Sequence, residues 1–198
     1  SVAAVDSLLA AASRDRLTFF QVDREAENPV APVHQLTFDE TSGSIQFVVS
    51  EGNTLYVIHS TNISVVEIGE QGSPHVVGTV TLRGPVKGLD RIDSHLYAAC
   101  LPSQLVVIDI ADPSSPKTMI RVPTRNRPTG LIATENRVLI RSARQSTEFF
   151  DVSNPQLPKP VATIENLDPF VSPSPGLVYA WSRRTIPGRV ISFAVDNV

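Results

Sequence analysis

Two carboxylates facing each other across a cleft can hydrolyse a glycosidic bond, histidines at ligand spacing can hold a metal, and clustered arginines can grip an anion. The chain offers these three chemistries unequal material. Its four histidines, His34, His59, His75 and His95, fall at unrelated places with no ligand spacing between them, so no metal site is expected. The single cysteine, Cys100, excludes an intrachain disulfide or a multi-cysteine zinc site, and within the apolar run LYAACL it reads as a small buried hydrophobe. No G-x-x-x-x-G-K-[ST] loop, strand-borne G-x-G-x-x-G, H-E-x-x-H or G-x-S-x-G is present, so no cofactor is expected. Among the acids, Asp90 is the one weak catalytic candidate on an inner strand; Asp39 and Asp168 lie in loops leading into inner strands. The plain reading of Asp90 is a solvated carboxylate, or one paired with Arg91 or a neighbouring lysine.

Arginine is the richer signal. Of 17 basic residues only Lys87, Lys117 and Lys159 are lysines, and a guanidinium makes planar two-point contacts with carboxylates that an ammonium cannot. How these groups are disposed depends on the elements that carry them.

Four segments align without gaps: NTLYVIHS from Asn53, SHLYAACL from Ser94, NRVLIRSA from Asn136 and GLVYAWSR from Gly176. Their equivalent residues Tyr56, Tyr97, Leu139 and Tyr179 are 41, 42 and 40 apart. A period near 40 belongs to propeller blades or helical solenoids. The 16 prolines and the short β-branched or aromatic runs between Gly, Pro, Asn and Ser exclude helices and predict four-stranded antiparallel blades. The expected architecture is all-β, a single β-propeller domain over 1–198 with blades at 1–39, 44–82, 86–123, 128–165 and 169–198. The last lacks its outer strand; because an open edge invites pairing, the expectation is either that the sequence stops short of that strand or that a neighbouring chain or a further tail supplies it. SVAAVDSLLAAAS reads as first-blade strands rather than a leader, since Asp6 interrupts it and no basic residue precedes it.

VVIDIADPSSPK and FFDVSNPQLPK, each after an apolar LYAA or VLIR strand, carry a family resemblance. They resemble the LVIVD repeat of prokaryotic, often cell-surface, β-propeller proteins. The first and second blades depart from it: QVDREAENPVAP is extended, and Gly72 and Ser73 replace the Asp-Pro or Asn-Pro pair. The resemblance implies a propeller fold and an extracytoplasmic setting, at the cell surface or in the periplasm, and no reaction. The motif itself reads as turn chemistry, with Asp112 and Asn154 accepting backbone N–H groups and the prolines fixing φ.

In a blade a-b-c-d, the d-to-a connections and b-to-c turns emerge at one end of the sheet. Sequence position therefore collects Arg14, Arg16, Arg83, Lys87, Arg125, Arg127, Arg144, Arg183 and Arg184 on one face, with Phe170 and Trp181, while acids such as Glu51, Asp93, Asp112 and Glu135 go to the other. The expected function is a non-catalytic platform that binds an acidic protein, or an anionic small molecule or glycan, on the arginine-rich face. The alternatives are a carbohydrate-active enzyme, which would depend on Asp90, and a structural repeat segment of a longer surface protein. A net charge of −3 gives no bulk attraction to nucleic acid, and no apolar run is long enough for membrane insertion.

Overall fold

The computed structural model describes residues 1–5, 8–22, 30–39, 43–69, 72–143, 145–174, 177–182 and 189–194; at residue 22 and from residue 168 onward it describes the backbone alone. Its described residues form β-strands paired into five antiparallel sheets. Sheet one is β1 (Val2–Val5), β2 (Leu8–Ser13), β3 (Arg16–Val22) and β4 (Val30–Thr37). Sheet two is β5 (Phe47–Glu51), β6 (Thr54–Ile58), β7 (Asn62–Ile68) and β8 (Pro74–Thr81). The third comprises β9 (Val86–Ile92), β10 (His95–Cys100), β11 (Gln104–Asp109) and β12 (Lys117–Pro123). The fourth comprises β13 (Pro128–Thr134), β14 (Arg137–Ser142), β15 (Ser146–Asp151) and β16 (Lys159–Glu165). The fifth has three described strands, β17 (Leu167–Ser174), β18 (Leu177–Ser182) and β19 (Arg189–Ala194). In each, strands pair in sequence order, the meander of a propeller blade.

Burial explains the apolar runs. The middle strands β6, β10, β11 and β15 are buried at almost every position, because both faces of their sheets are covered, whereas β4 and β16 are largely exposed. The repeated position is closed by a repeated hydrogen bond. The residue at the end of the third strand or just past it donates its N–H to the residue just before the second: Ile68 to Asn53 (2.9 Å), Ile110 to Ser94 (2.9 Å) and Val152 to Asn136 (2.8 Å). A register shift recurs at equivalent third-strand positions, Phe19/Phe20, Val65/Val66, Val107/Ile108 and Phe149/Phe150. Such bulges steepen the local twist.

The motif that carried the resemblance is a double side-chain turn. Asp109 accepts the N–H of Ala111 (2.9 Å) and Asp112 that of Ser114 (3.0 Å); in the next blade Asp151 accepts Ser153 (3.0 Å) and Asn154 accepts Gln156 (3.0 Å). Arg137 adds an ion pair to Asp151 at 3.2 Å. Two strands differ in extent from the sequence reading. β4 begins at Val30, not Val33, because Ala31 and Pro32 find partners in Gln21 and Phe20 and an outer strand tolerates the missing proline N–H. β5 begins at Phe47, not Ser44, since Ile45 donates its N–H to the Arg14 carbonyl (2.5 Å).

The chain forms two compact units, Ser1–Arg83 with Asp112–Pro116, and Gly84–Ala111 with Lys117–Val198. In the first, Leu8, Leu17, Phe19, Leu55, Val57 and Val66 lead a core packed between sheets one and two. In the second, Tyr97, Leu105, Val107, Val138, Ile140 and Phe150 do the same between sheets three and four.

Candidate functional site

Several groups with chemical capacity are taken up by the fold. His59, in the first unit, is buried; its Nδ1 lies 3.1 Å from the Gly43 carbonyl, which can only accept, so Nδ1 carries the proton and Nε2 accepts from the Ser64 hydroxyl at 3.4 Å. Phe38 packs edge-on against the ring, with centroids 4.8 Å apart. Burial pulls the imidazole pKa below its usual 6.5, against the opposing effects of the Gly43 hydrogen bond and the Asp39 charge. With the folded value depressed, the unfolded chain binds the extra proton, so stability is full above pH 6.5 and falls as pH drops below it. The expected slope is at most about 1.4 kcal/mol per pH unit, and His59→Asn, measured by denaturant unfolding at several pH values, is expected to remove it.

Cys100 is buried, and its thiol is pushed up to about 12 by burial, with Arg121 pulling weakly the other way. It is an inert core residue. Asp90, the weak catalytic candidate, accepts the N–H of Ala133 on β13 at 2.8 Å and that of Arg91 at 2.9 Å. Its carboxylate staples the inner strands of sheets three and four together. Among the described residues no group of three or more His, Cys, Asp or Glu could hold a metal ion, and no helix is long and apolar enough to cross a membrane.

The basic residues remain. Arg14, Arg16 and Arg83 are exposed in the first unit; Lys87, Arg125 and Arg127 are exposed in the second. Arg144, Arg183 and Arg184 lie outside the described residues, as do the side chains of Phe170 and Trp181.

Arg125 and Arg127 stand on the connection from β12 to β13, and its backbone is held from several sides. Glu148 on β15, only 4% exposed, accepts the N–H of Arg125 on one carboxylate oxygen (2.7 Å) and that of Asn126 on the other (3.0 Å). The buried Thr124 hydroxyl donates to the Asn126 carbonyl (2.9 Å), while its own N–H goes to Ser103 (3.1 Å). The Asn126 amide donates to the Ser146 hydroxyl (3.2 Å), which pairs with that of Ser142 (2.7 Å), and the Arg127 carbonyl accepts the Ala143 N–H (3.0 Å). Backbone and small side chains are thus locked while the two guanidinium groups stand in solvent.

The sequence reading named both arginines and missed the residue that positions them. Glu148 aligns with Thr18, Ser64 and Val106 in the other third strands. A carboxylate directly before the two phenylalanines of TEFFDV, where the other third strands carry Thr, Ser or Val, was the available signal, since a buried carboxylate must find donors.

With this geometry in view, the comparisons with known proteins bear on the same blade. Residues 94–124 match the LVIVD repeat. The third blade carries an LVIVD repeat. It runs from just before β10, through β11 and β12, to Thr124 at the head of the clamped loop, and LVIVD repeats form β-propellers. No curated protein sequence matches the chain. Among solved structures, it is similar to the Pan2 WD40 domain of Neurospora crassa (14% identity, TM-score 0.68, covering 100% of this chain and 62% of that one). It is also similar to BamB from Moraxella catarrhalis (16% identity, TM-score 0.68, 100% and 58%) and to the computationally designed Ika8 protein (12%, 0.70, 98% and 57%). At these identities the likeness concerns the fold, and the chain spans roughly three fifths of each of those proteins. The LVIVD repeat and its neighbours are therefore blades of a β-propeller.

Proposed function

We propose that the chain is a non-catalytic propeller platform that captures an acidic protein segment at the strand ends carrying Arg125 and Arg127. The observation that carries this reading is the Glu148 clamp. A buried carboxylate is costly to desolvate, and apolar residues usually serve stability as well. What Glu148 adds is a fixed path for the loop, so that both arginines are presented with less entropy left to lose on binding. Among the described residues neither guanidinium is paired with a carboxylate. The LVIVD resemblance supports an extracytoplasmic setting for this platform.

The test uses a fluorescent hexaglutamate peptide, with hexaglutamine as its neutral control. Arg125→Gln with Arg127→Gln is expected to weaken hexaglutamate binding by about tenfold or more, the loss of roughly one good charge-assisted contact, while thermal unfolding is unchanged. Added salt is expected to weaken the wild type in the same direction. Equal affinity of wild type and double variant would overturn the proposal.

A further inference from the structure

The inner strands of sheets three and four begin with the same irregularity. In β9 the register steps from Val86, opposite Cys100, to Gly88, opposite Ala99, and leaves Lys87 without a partner on β10. In β13 it steps from Pro128, opposite Ser142, to Gly130, opposite Arg141, and leaves Thr129 without one on β14. Both leftover residues are exposed, although Val86 and Gly88 around Lys87 are buried, as is Pro128 before Thr129. A bulge re-aims a side chain, and these two turn Lys87 and Thr129 out of the ladder into solvent. The bulges also lie side by side. A Cβ on Gly88 would come within 2.8 Å of the Gly130 carbonyl carbon, so the strands touch one residue away from Lys87 and one residue away from Thr129. Two residues before Thr129 stands Arg127, and beyond it Asn126 turns inward to the Ser146 hydroxyl (3.2 Å) while Arg125 is again exposed. A continuous path therefore runs from Lys87 through Thr129 and Arg127 to Arg125. Among the described residues none of its three cations is paired with a carboxylate.

We propose that Lys87 is the third charged contact of the platform, so that the site reads a run of carboxylates laid along the path from Arg125 to Lys87, an inference that deepens the platform reading and rests on it. The spacing of the cations favours a run over a single group. Alternate residues of an extended chain stand roughly 7 Å apart, so Arg125 and Arg127, separated by the inward-turned Asn126, match acids two residues apart in an extended partner. Lys87, across Thr129, then meets a third. One phosphate would require all three cations to be drawn onto one group, whereas they are carried on a connection and on a separate strand. The residue types suit this division. A guanidinium grips a carboxylate at two points and fixes its orientation, while the ammonium on its flexible four-carbon stem is a point charge that follows an acid over a range of positions. Between them the Thr129 hydroxyl can donate to a carboxylate or to a carbonyl of the partner's backbone. Glycine at 88 is what allows the arrangement, because the contact that brings Lys87 beside Thr129 has no room for a side chain.

Anisotropy with labelled hexaglutamate and diglutamate separates Lys87 from the loop. Lys87→Gln is expected to weaken hexaglutamate binding by about threefold to fivefold, the upper range for one exposed ion pair, with thermal unfolding unchanged. Lys87→Arg keeps the cation and is expected to keep the affinity. Diglutamate is too short to span the path, so wild type and Lys87→Gln are expected to bind it alike. Lys117→Gln removes the same charge from the opposite end of β12, and is expected to leave hexaglutamate affinity unchanged. In the wild type, hexaglutamate is expected to shift the backbone amide signals of Lys87 and Thr129. Full affinity in Lys87→Gln beside a weakened Arg125→Gln with Arg127→Gln variant would sink the inference and leave the platform reading standing. Equal losses in Lys87→Gln and Lys117→Gln would overturn it too, by reducing Lys87 to a share of the overall charge. If the wild type binds no hexaglutamate, both readings fall. Inorganic phosphate displacing hexaglutamate more strongly than glutarate does, at equal ionic strength, would overturn the run of carboxylates.

Discussion

Replacing Glu148 by alanine is expected to destabilise the second unit by about 2–4 kcal/mol, since two backbone N–H groups lose a charged acceptor and water reaches a surface loop only in part. Both amides, Arg125 at 2.7 Å and Asn126 at 3.0 Å, depend on that one side chain. Glutamine keeps one acceptor oxygen and turns its NH₂ toward the other donor, so Glu148→Gln is expected to lose about half as much. Hydrogen exchange is the direct measurement: the Arg125 and Asn126 amides should exchange much faster in either variant, while amides in β10 and β11 keep their protection. Unchanged exchange at residues 125 and 126 would show that the carboxylate does not hold the loop. The same variants test positioning against charge, because they leave both arginines in place. Weaker hexaglutamate binding without loss of a guanidinium would assign Glu148 the role of a positioning residue.

Gly88→Ala is expected to be comparably damaging for a different reason. A Cβ at residue 88 would collide with the backbone N of Leu131 and lie 2.8 Å from the Gly130 carbonyl carbon and 2.9 Å from the Leu131 Cβ. These obstacles are largely main chain of β13, which cannot rotate away, so the two inner strands must separate. Overpacking of this kind costs about 1–3 kcal/mol, occasionally more. Separation would also stretch the 2.8 Å staple from Asp90 to the Ala133 N–H, one turn of the pleat away. Urea unfolding followed by the exchange of the Ala133 amide gives the check: a lower midpoint with early loss of Ala133 protection is the expected result. A wild-type midpoint would mean that the inner strands have slack their spacing does not show. Asp90→Asn retains an acceptor for Ala133 and is expected to be far milder.

Features whose causes are local were legible in the chain. Asp112 and Asn154 act on the N–H two residues ahead, so their role follows from the tetrapeptide that contains them. Strand identity in LYAACL or LVVIDI follows from side chains that favour a pleated, doubly covered surface, and the spacing from Tyr56 to Tyr179 counts the blades. The limits of β4 and β5 were less legible, because an outer strand extends as far as its partner has free groups, and Gln21 and Phe20 had them to offer.

The sequence by itself thus determined the repeat, its strand-and-turn chemistry and the blade class. Tertiary structure alone decided what the chemically capable residues do. Glu148 reaches a loop 22 and 23 residues away, and Asp90 reaches a strand 43 residues on. A hydrogen bond within a turn is set by the dihedrals of three or four residues. A bond between blades depends on how far apart two sheets settle, and that distance is fixed by the volume of every side chain packed between them.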